Sequence, residues 1–198
     1  MKKKIVVLSM AIALCAVMIV GGTLAYFTDK DQAVNTFTVG DLDITLTETE
    51  WNPQDAHKVV PGANFDKNPV INLETGSEDA WVRAKFVFTA KTASQQSALD
   101  ALVAANKITL IGLAGTNWTK TGNYYYYTVK LEDETGKNAT TALFTDVNIA
   151  GSGVSVADLE GISGGFDVTV TAEAVQVISD SYAADFTAAQ ADLNALYA

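Results

Sequence analysis

Residues 80–90, AWVRAKFVFTA, alternate between two faces. Val82, Ala84, Phe86 and Phe88 fall on one side; Arg83, Lys85 and Thr89 fall on the other. A helix would scatter these side chains around its axis, whereas a strand sorts them into a buried and a wet face. The same period of two returns along the chain. It is found at residues 35–39 and 42–46, at 68–74 and, more briefly, at 108–113 and 143–149. It ends with a long run from Phe166 to Ile178, whose apolar face is Phe166, Val168, Val170, Ala172 and Ala174. Asn117–Lys120 and Tyr124–Leu131 read as a hairpin across Thr121-Gly122-Asn123. Within it Tyr125, Tyr127, Val129 and Leu131 share one face, and Tyr124, Tyr126, Thr128 and Lys130 the other.

Helical spacing interrupts this pattern twice. Residues 94–106 carry Leu99, Leu102 and Val103 as an apolar stripe, with Ser94 placed to cap the N-terminus. A closing helix begins at Ser181 and presents Phe186, Ala189, Leu193 and Leu196. Residues 48–57 read as a loop, Pro61-Gly62 and Thr75-Gly76-Ser77 as turns, and 151–165 as a glycine- and serine-containing loop with a helical turn at 155–160. About nine or ten short strands and two short helices, without any βαβ rhythm, predict a mainly β fold. The expected architecture is an antiparallel two-sheet sandwich, jelly-roll-like.

The first 25 residues stand apart. Lys2, Lys3 and Lys4 precede an apolar run from Ile5 to Val20, and Gly21-Gly22 breaks it before Thr23-Leu24-Ala25. Small residues at the −3 and −1 positions are what a signal peptidase accepts, so cleavage is expected between Ala25 and Tyr26. Residues 5–25 as a helix would also span roughly 30 Å, enough for a bilayer, but Gly-Gly and a small −1 residue suit an anchor poorly. Any membrane contact is therefore expected only through an uncleaved signal. The domain reading is a signal peptide at 1–25, an N-terminal arm and first strand at 26–39, and a β-sandwich domain at 40–198.

Charge and cysteine use narrow the function. Cleavage removes three lysines and no acids, leaving 10 basic against 23 acidic side chains, a net −13. Such a chain avoids nucleic acid and anionic membranes, and its self-repulsion is screened by salt or divalent cations. The single cysteine, Cys15, lies in the leading segment, so the remainder has no disulfide, thiol nucleophile or cysteine metal site.

Candidate chemistry is sparse. His57 is the one histidine, with Asp55 nearby; a hydrolytic zinc site needs two or three histidines, typically in HExxH, and none is available. No G-x-S-x-G elbow exists, and Gly151-Ser152-Gly153 does not substitute for one. Acidic clusters at Asp29/Asp31, Asp41/Asp43, Glu78/Asp79 and Glu132-Asp133-Glu134 lack the spacing of a calcium loop and read as solvated charge. The Tyr124–Tyr127 run reads as a strand with one core row, or as an aromatic strip for subunit or glycan contact. No catalytic residue, cofactor or metal is expected.

Around the cleavage point the chain reads GGTLAYFTDKDQAVNTFTVGDLDI. Gly21, Gly22, Thr23, Ala25, Tyr26, Phe27 and Asp29, then Asn35, Phe37, Gly40, Leu42, Asp43 and Ile44, resemble the start of the TasA/camelysin family of Gram-positive bacteria. The likeness continues more weakly through Pro61-Gly62, Asn72 to Ser77, Trp81-Val82-Arg83 and Thr169–Gln176. The resemblance implies processing by a SipW-type signal peptidase, secretion to the extracellular matrix or cell surface, and, as for TasA, a role as a biofilm-matrix fibre protein. Some family members called camelysin are classed as metallopeptidases.

A sandwich has open edges, and an open edge accepts a neighbour's strand. Residues 26–39 carry Phe27, Val34, Phe37 and Val39 as apolar candidates for such a donor strand. Head-to-tail donation does not close on itself and gives filaments. The expected function is a secreted structural fibre subunit whose partner is itself or a related matrix subunit. The alternatives are a non-polymerising surface binding module and a camelysin-like metallopeptidase.

Overall fold

In the computed structural model, β4 (Ala80–Ala90) runs through the molecule as a spine. The structure describes residues 41–51, 58–178 and 183–198. The other strands in chain order are β1 (Ile44–Glu48), β2 (Asn64–Asp66), β3 (Pro69–Leu73), β5 (Ile108–Ile111), β6 (Trp118–Thr121), β7 (Tyr124–Tyr127), β8 (Asp146–Ile149) and β9 (Phe166–Gln176). Among the described residues three α-helices join them: α1 (Gln96–Ala104), α2 (Val156–Glu160) and α3 (Phe186–Leu196).

One layer has the strand order β6-β7-β4-β9. The full length of β4 pairs with β9, from Ala80↔Gln176 to Ala90↔Phe166. The second layer consists of β1-β3 and β2-β8-β5. Backbone bonds tie these two pieces together: Lys67 N–H donates to Thr145 O, Leu143 N–H to Pro69 O, and Thr140 N–H to Ile71 O. All strand pairs are antiparallel. The mainly β sandwich expected from the alternation is what forms.

The core between the layers holds Ile71, Leu73, Val82, Ala84, Leu99, Ile108, Leu131, Phe144 and Ile149, with Phe86 and Phe88 packed against it. Rings interlock there, Phe86 lying 5.6 Å from Tyr125 and 6.2 Å from Phe144. The hairpin between β6 and β7 closes over two residues, since Thr121 pairs directly with Tyr124. Gly122 takes φ 61°, a conformation costly for a residue with a Cβ.

The structure corrects five expectations, four of them local. Strand β7 stops at Tyr127, so Val129 does not continue the core row and is 46% exposed. Ser94 does not cap α1; a short 3₁₀ turn at Ala93–Gln95 precedes the helix. The turn at 155–160 is a third helix, fixed by a capping box between Ser155 and Asp158. The closing helix starts after Asp185, whose carboxylate accepts from Ala188 N–H; Ser181 lies outside the described residues.

The largest correction concerns the wet face of β4. Arg83 is only 1% exposed because α3 lies across it. Its Nε donates to Glu173 Oε2 at 2.5 Å, and its Nη1 donates to Tyr126 Oη at 3.0 Å and Asn194 Oδ1 at 2.6 Å. Tyr124 stacks on the guanidinium at 3.7 Å. Lys85 donates to Tyr124 Oη and sits near Glu173, which together hold its proton above the ordinary lysine range. Around this polar knot Tyr126, Val175, Ala183, Ala189 and Leu193 form a second apolar cluster. Removing one member strands a buried charge, which costs far more than a surface pair. Glu173→Ala is expected to destabilise the domain by about 3–5 kcal/mol in urea unfolding, with Arg83 left uncompensated under α3. A loss under 1 kcal/mol would show that the knot is solvated.

Candidate functional site

The two layers do not meet evenly along one side. β1 is the edge strand of its layer and β9 the edge strand of the other. Among the described residues, neither has a strand on its outer side. Between them runs a groove of about 740 Å³. Its apolar lining is Leu46, Val59, Phe65, Val147, Phe166, Val168 and Val170. The inward row of β9 that packs on the core at Ala172 and Ala174 therefore continues into the groove as Phe166, Val168 and Val170. Gly165, with φ 82°, turns the chain into this edge.

Charged side chains gather at one end. Lys67, 7% exposed as a residue, pairs with Glu48 at 2.6 Å and lies over the ring of Trp51 at 5.1 Å. Lys91 pairs with Asp167 at 2.5 Å. These residues and Gly164 to Val170 mark the mouth. The opposite end of the sandwich is where the described chain begins. Asp41 O accepts from Glu78 N–H and Asp43 O from Glu74 N–H, beside the start of β4 and the end of β9. Residue 41 thus lies one strand length from the mouth, about 33 Å at 3.3 Å per residue along β9.

The expected site residues fall as follows. Ala25, Tyr26, Phe27, Val34, Phe37 and Val39 lie outside the described residues, as do His57 and Asp55. Leu42 and Ile44 pack on the core, and Leu46, on the same alternation, opens into the groove. The tyrosine run is not a free adhesive strip. Tyr125, Tyr126 and Tyr127 are buried, Tyr127 beside Trp118 at 5.1 Å and Tyr126 beside Phe186 at 6.5 Å. The acidic hairpin tip is balanced by the chain's own cations: Glu132 bonds Lys130 and Lys137, and Glu134 bonds Lys137. Asp79 pairs with Lys130.

Sequence reasoning missed Glu48, Trp51, Lys67, Lys91 and Asp167 as groove residues. The alternation of β9 was visible, but nothing in it says which neighbour a strand lacks. Lys67 sits between β2 and β3, where a lone lysine reads as surface.

A protein-family model described as camelysin metallo-endopeptidase matches residues 1–99. No curated protein matches the chain. The family's description implies a metal. Among the described residues no group of three or more His, Cys, Asp or Glu side chains is placed to hold one. Of the described carboxylates, Glu48, Glu173 and Asp79 are each paired with a lysine or arginine of the chain itself.

The Lys67–Glu48 pair carries the architecture of the mouth. Lys67→Ala is expected to cost roughly 1–3 kcal/mol by leaving Glu48 half-buried and unpaired. Lys67→Met with Glu48→Leu is expected to regain at least half of that in denaturant titration.

Proposed function

We propose that this chain, which belongs to the camelysin metallo-endopeptidase family, is a secreted structural subunit of extracellular fibres. It assembles when residues 26–39 of one copy enter the β1/β9 groove of the next. The single observation that carries this role is that, among the described residues, β1 and β9 have no strand on their outer sides over an apolar groove. A strand's N–H and C=O groups attract another strand wherever they are left without a partner. An extended segment laid there gains main-chain bonds to β9, and its alternate side chains enter apolar pockets. Phe27, Phe37 and Val39 fall on one parity and supply one apolar row; Val34 falls on the other.

The positions of the two ends give the assembly its direction. The arm precedes residue 41 at one end of the sandwich, and the groove's mouth is at the other. A copy stacked by translation therefore meets a mouth where its neighbour's arm leaves. Contacts of this type are heterologous and propagate without closing. Inserted in this way, the arm runs antiparallel to β9 and parallel to β1. Export by cleavage between Ala25 and Tyr26 frees the arm for this use. The net −13 of the trimmed chain holds copies apart until salt screens them.

A peptidase role is favoured only by the family's description. Casein digestion abolished both by chelator and by His57→Ala would establish it.

Two outcomes test the fibre role. The mature chain lacking residues 26–34 is expected to remain a folded monomer by circular dichroism and gel filtration, and to form no filaments by electron microscopy. Filaments as abundant as those of the complete mature chain would remove the arm from assembly. Val168→Asp, a charge in the groove, is expected to abolish elongation while leaving the arm able to enter wild-type filaments as donor. Elongation at the wild-type rate would move the acceptor elsewhere.

A further inference from the structure

Strand β9 lines the groove with its first five residues, Phe166 to Val170. Further along, Ala172 and Ala174 close onto the core. The groove therefore takes about 16 Å of extended chain beside β9, roughly five residues. Within that length the two faces of the strand differ. Phe166, Val168 and Val170 are half-buried and pack toward the core, whereas Asp167 and Thr169 are exposed on the outer face, opposite Thr89 and Val87 of β4. The arm offers one stretch that answers this pattern. Asp31 and Asp41 bound a window free of charged side chains. Inside it, Phe37 and Val39 are the one pair of large apolar residues in the arm spaced by two, with Thr36 and Thr38 alternating.

We propose that the donated strand is Asn35 to Val39 of a second copy, held in one register: Val39 opposite Phe166, Phe37 opposite Val168 and Asn35 opposite Val170. The inference rests on the strand-donation role given above and fixes its pairing. Antiparallel pairing then sets Thr38 beside Asp167 and Thr36 beside Thr169 on the wet face. Apolar meets apolar and polar meets polar at every pair except the innermost, where Asn35 reaches the closed end. Slippage is opposed in both directions. One residue either way turns Thr36 and Thr38 into the apolar row. Two residues deeper would put Asp41 opposite Phe166, but Asp41 is fastened to its own body, where its carbonyl accepts from Glu78 N–H. Two residues shallower withdraws Val39 and leaves Asn35 opposite Val168. Upstream, Asp31 and Asp29 share the inward parity, and burying carboxylates over Ala174 and beyond is costly, so the pairing stops near Asn35. Phe27 has the right parity but lies beyond both acids, outside the pockets. Truncation to Asn35 still fails, because it places a charged N-terminus at the groove's inner end.

The test exchanges side chains across the proposed pairs in the mature chain and follows filament elongation by light scattering and electron microscopy. Phe37→Val and Val168→Phe are each expected to slow elongation at least about fivefold, one by leaving a gap and the other by overfilling. Together they restore the volume across a direct pair, and elongation is expected to return to within about twofold of wild type. Phe37→Val with Val170→Phe is expected to show no such recovery. Where Val168→Phe lowers the melting temperature of the monomer, Val39→Phe with Phe166→Val makes the same exchange at the neighbouring pair. Phe27→Asp and Val34→Asp are expected to elongate at close to the wild-type rate in salt that screens the chain's charge. Recovery with Val170→Phe in place of Val168→Phe overturns the register. So does failure of both exchanges to recover, or loss of elongation in Phe27→Asp or Val34→Asp. If the unaltered mature chain itself forms no filaments, the fibre role falls first, and that outcome is distinguishable from failure of the register alone.

Discussion

Among the described residues no strand covers the outer backbone edge of β9, and the rest of the molecule is arranged around that edge. The strand is eleven residues long and bonded along its whole inner side to β4. Long, regular edges are hazardous, and soluble proteins shorten, charge or cover them. The opposite edge of this sheet, β6, follows that rule: it is four residues long and exposes Thr119, Lys120 and Thr121. Over Phe166 to Val170, β9 is long and regular and sets Phe166, Val168 and Val170 inward, with the charge of Asp167 paired to Lys91. The two edges of one sheet thus differ in length and in the apolar surface beside them.

The rest of the chain stiffens β9 so that its edge holds its shape without a partner. On the inner face the packing of Phe86, Tyr125 and Phe144 holds β4 in place beneath it. On the outer face α3 is clamped by Arg83, Glu173, Tyr126 and Asn194. Arg83, Glu173, Tyr126 and Asn194 bond one another in that knot, which is how a buried ion pair is tolerated. Gln176, three residues further along the same strand as Glu173, is the contrast. Glu173 is bonded to Arg83 and Lys85, whereas the buried Oε1 of Gln176 has no partner among the described residues.

Much of this was legible in the sequence, for local reasons. The alternation in residues 80–90 gave β4 its exact bounds, and that in 166–178 gave β9 within two residues, because period-two patterning is dictated by burial. The hairpin at Gly122 was legible, though its connection is two residues rather than the three expected, since Thr121 belongs to the ladder. The wet face of β4 was misread because Arg83 and Lys85 look solvent-bound until a helix about 100 residues later covers them. The tyrosine run reads as a strand with one core row, and Tyr125 and Tyr127 are buried accordingly; its other row is also covered, because Phe186 from that helix packs on Tyr126. The groove itself was not legible. It depends on which strands end each layer, and strand order is a property of pairing between distant segments rather than of any one pattern.

The most direct measurement uses the absence of cysteine after Cys15. Phe37→Cys in the arm, combined in turn with Val168→Cys and Val170→Cys in the groove, is oxidised in assembling mature protein and separated by size under denaturing conditions. A ladder of covalent multimers for at least one pair is expected, with each single-cysteine variant stopping at monomer or dimer. Bonds formed exclusively within single chains, or no bond for either pair in filaments that nonetheless grow, would contradict the transfer of an arm from one copy to the next.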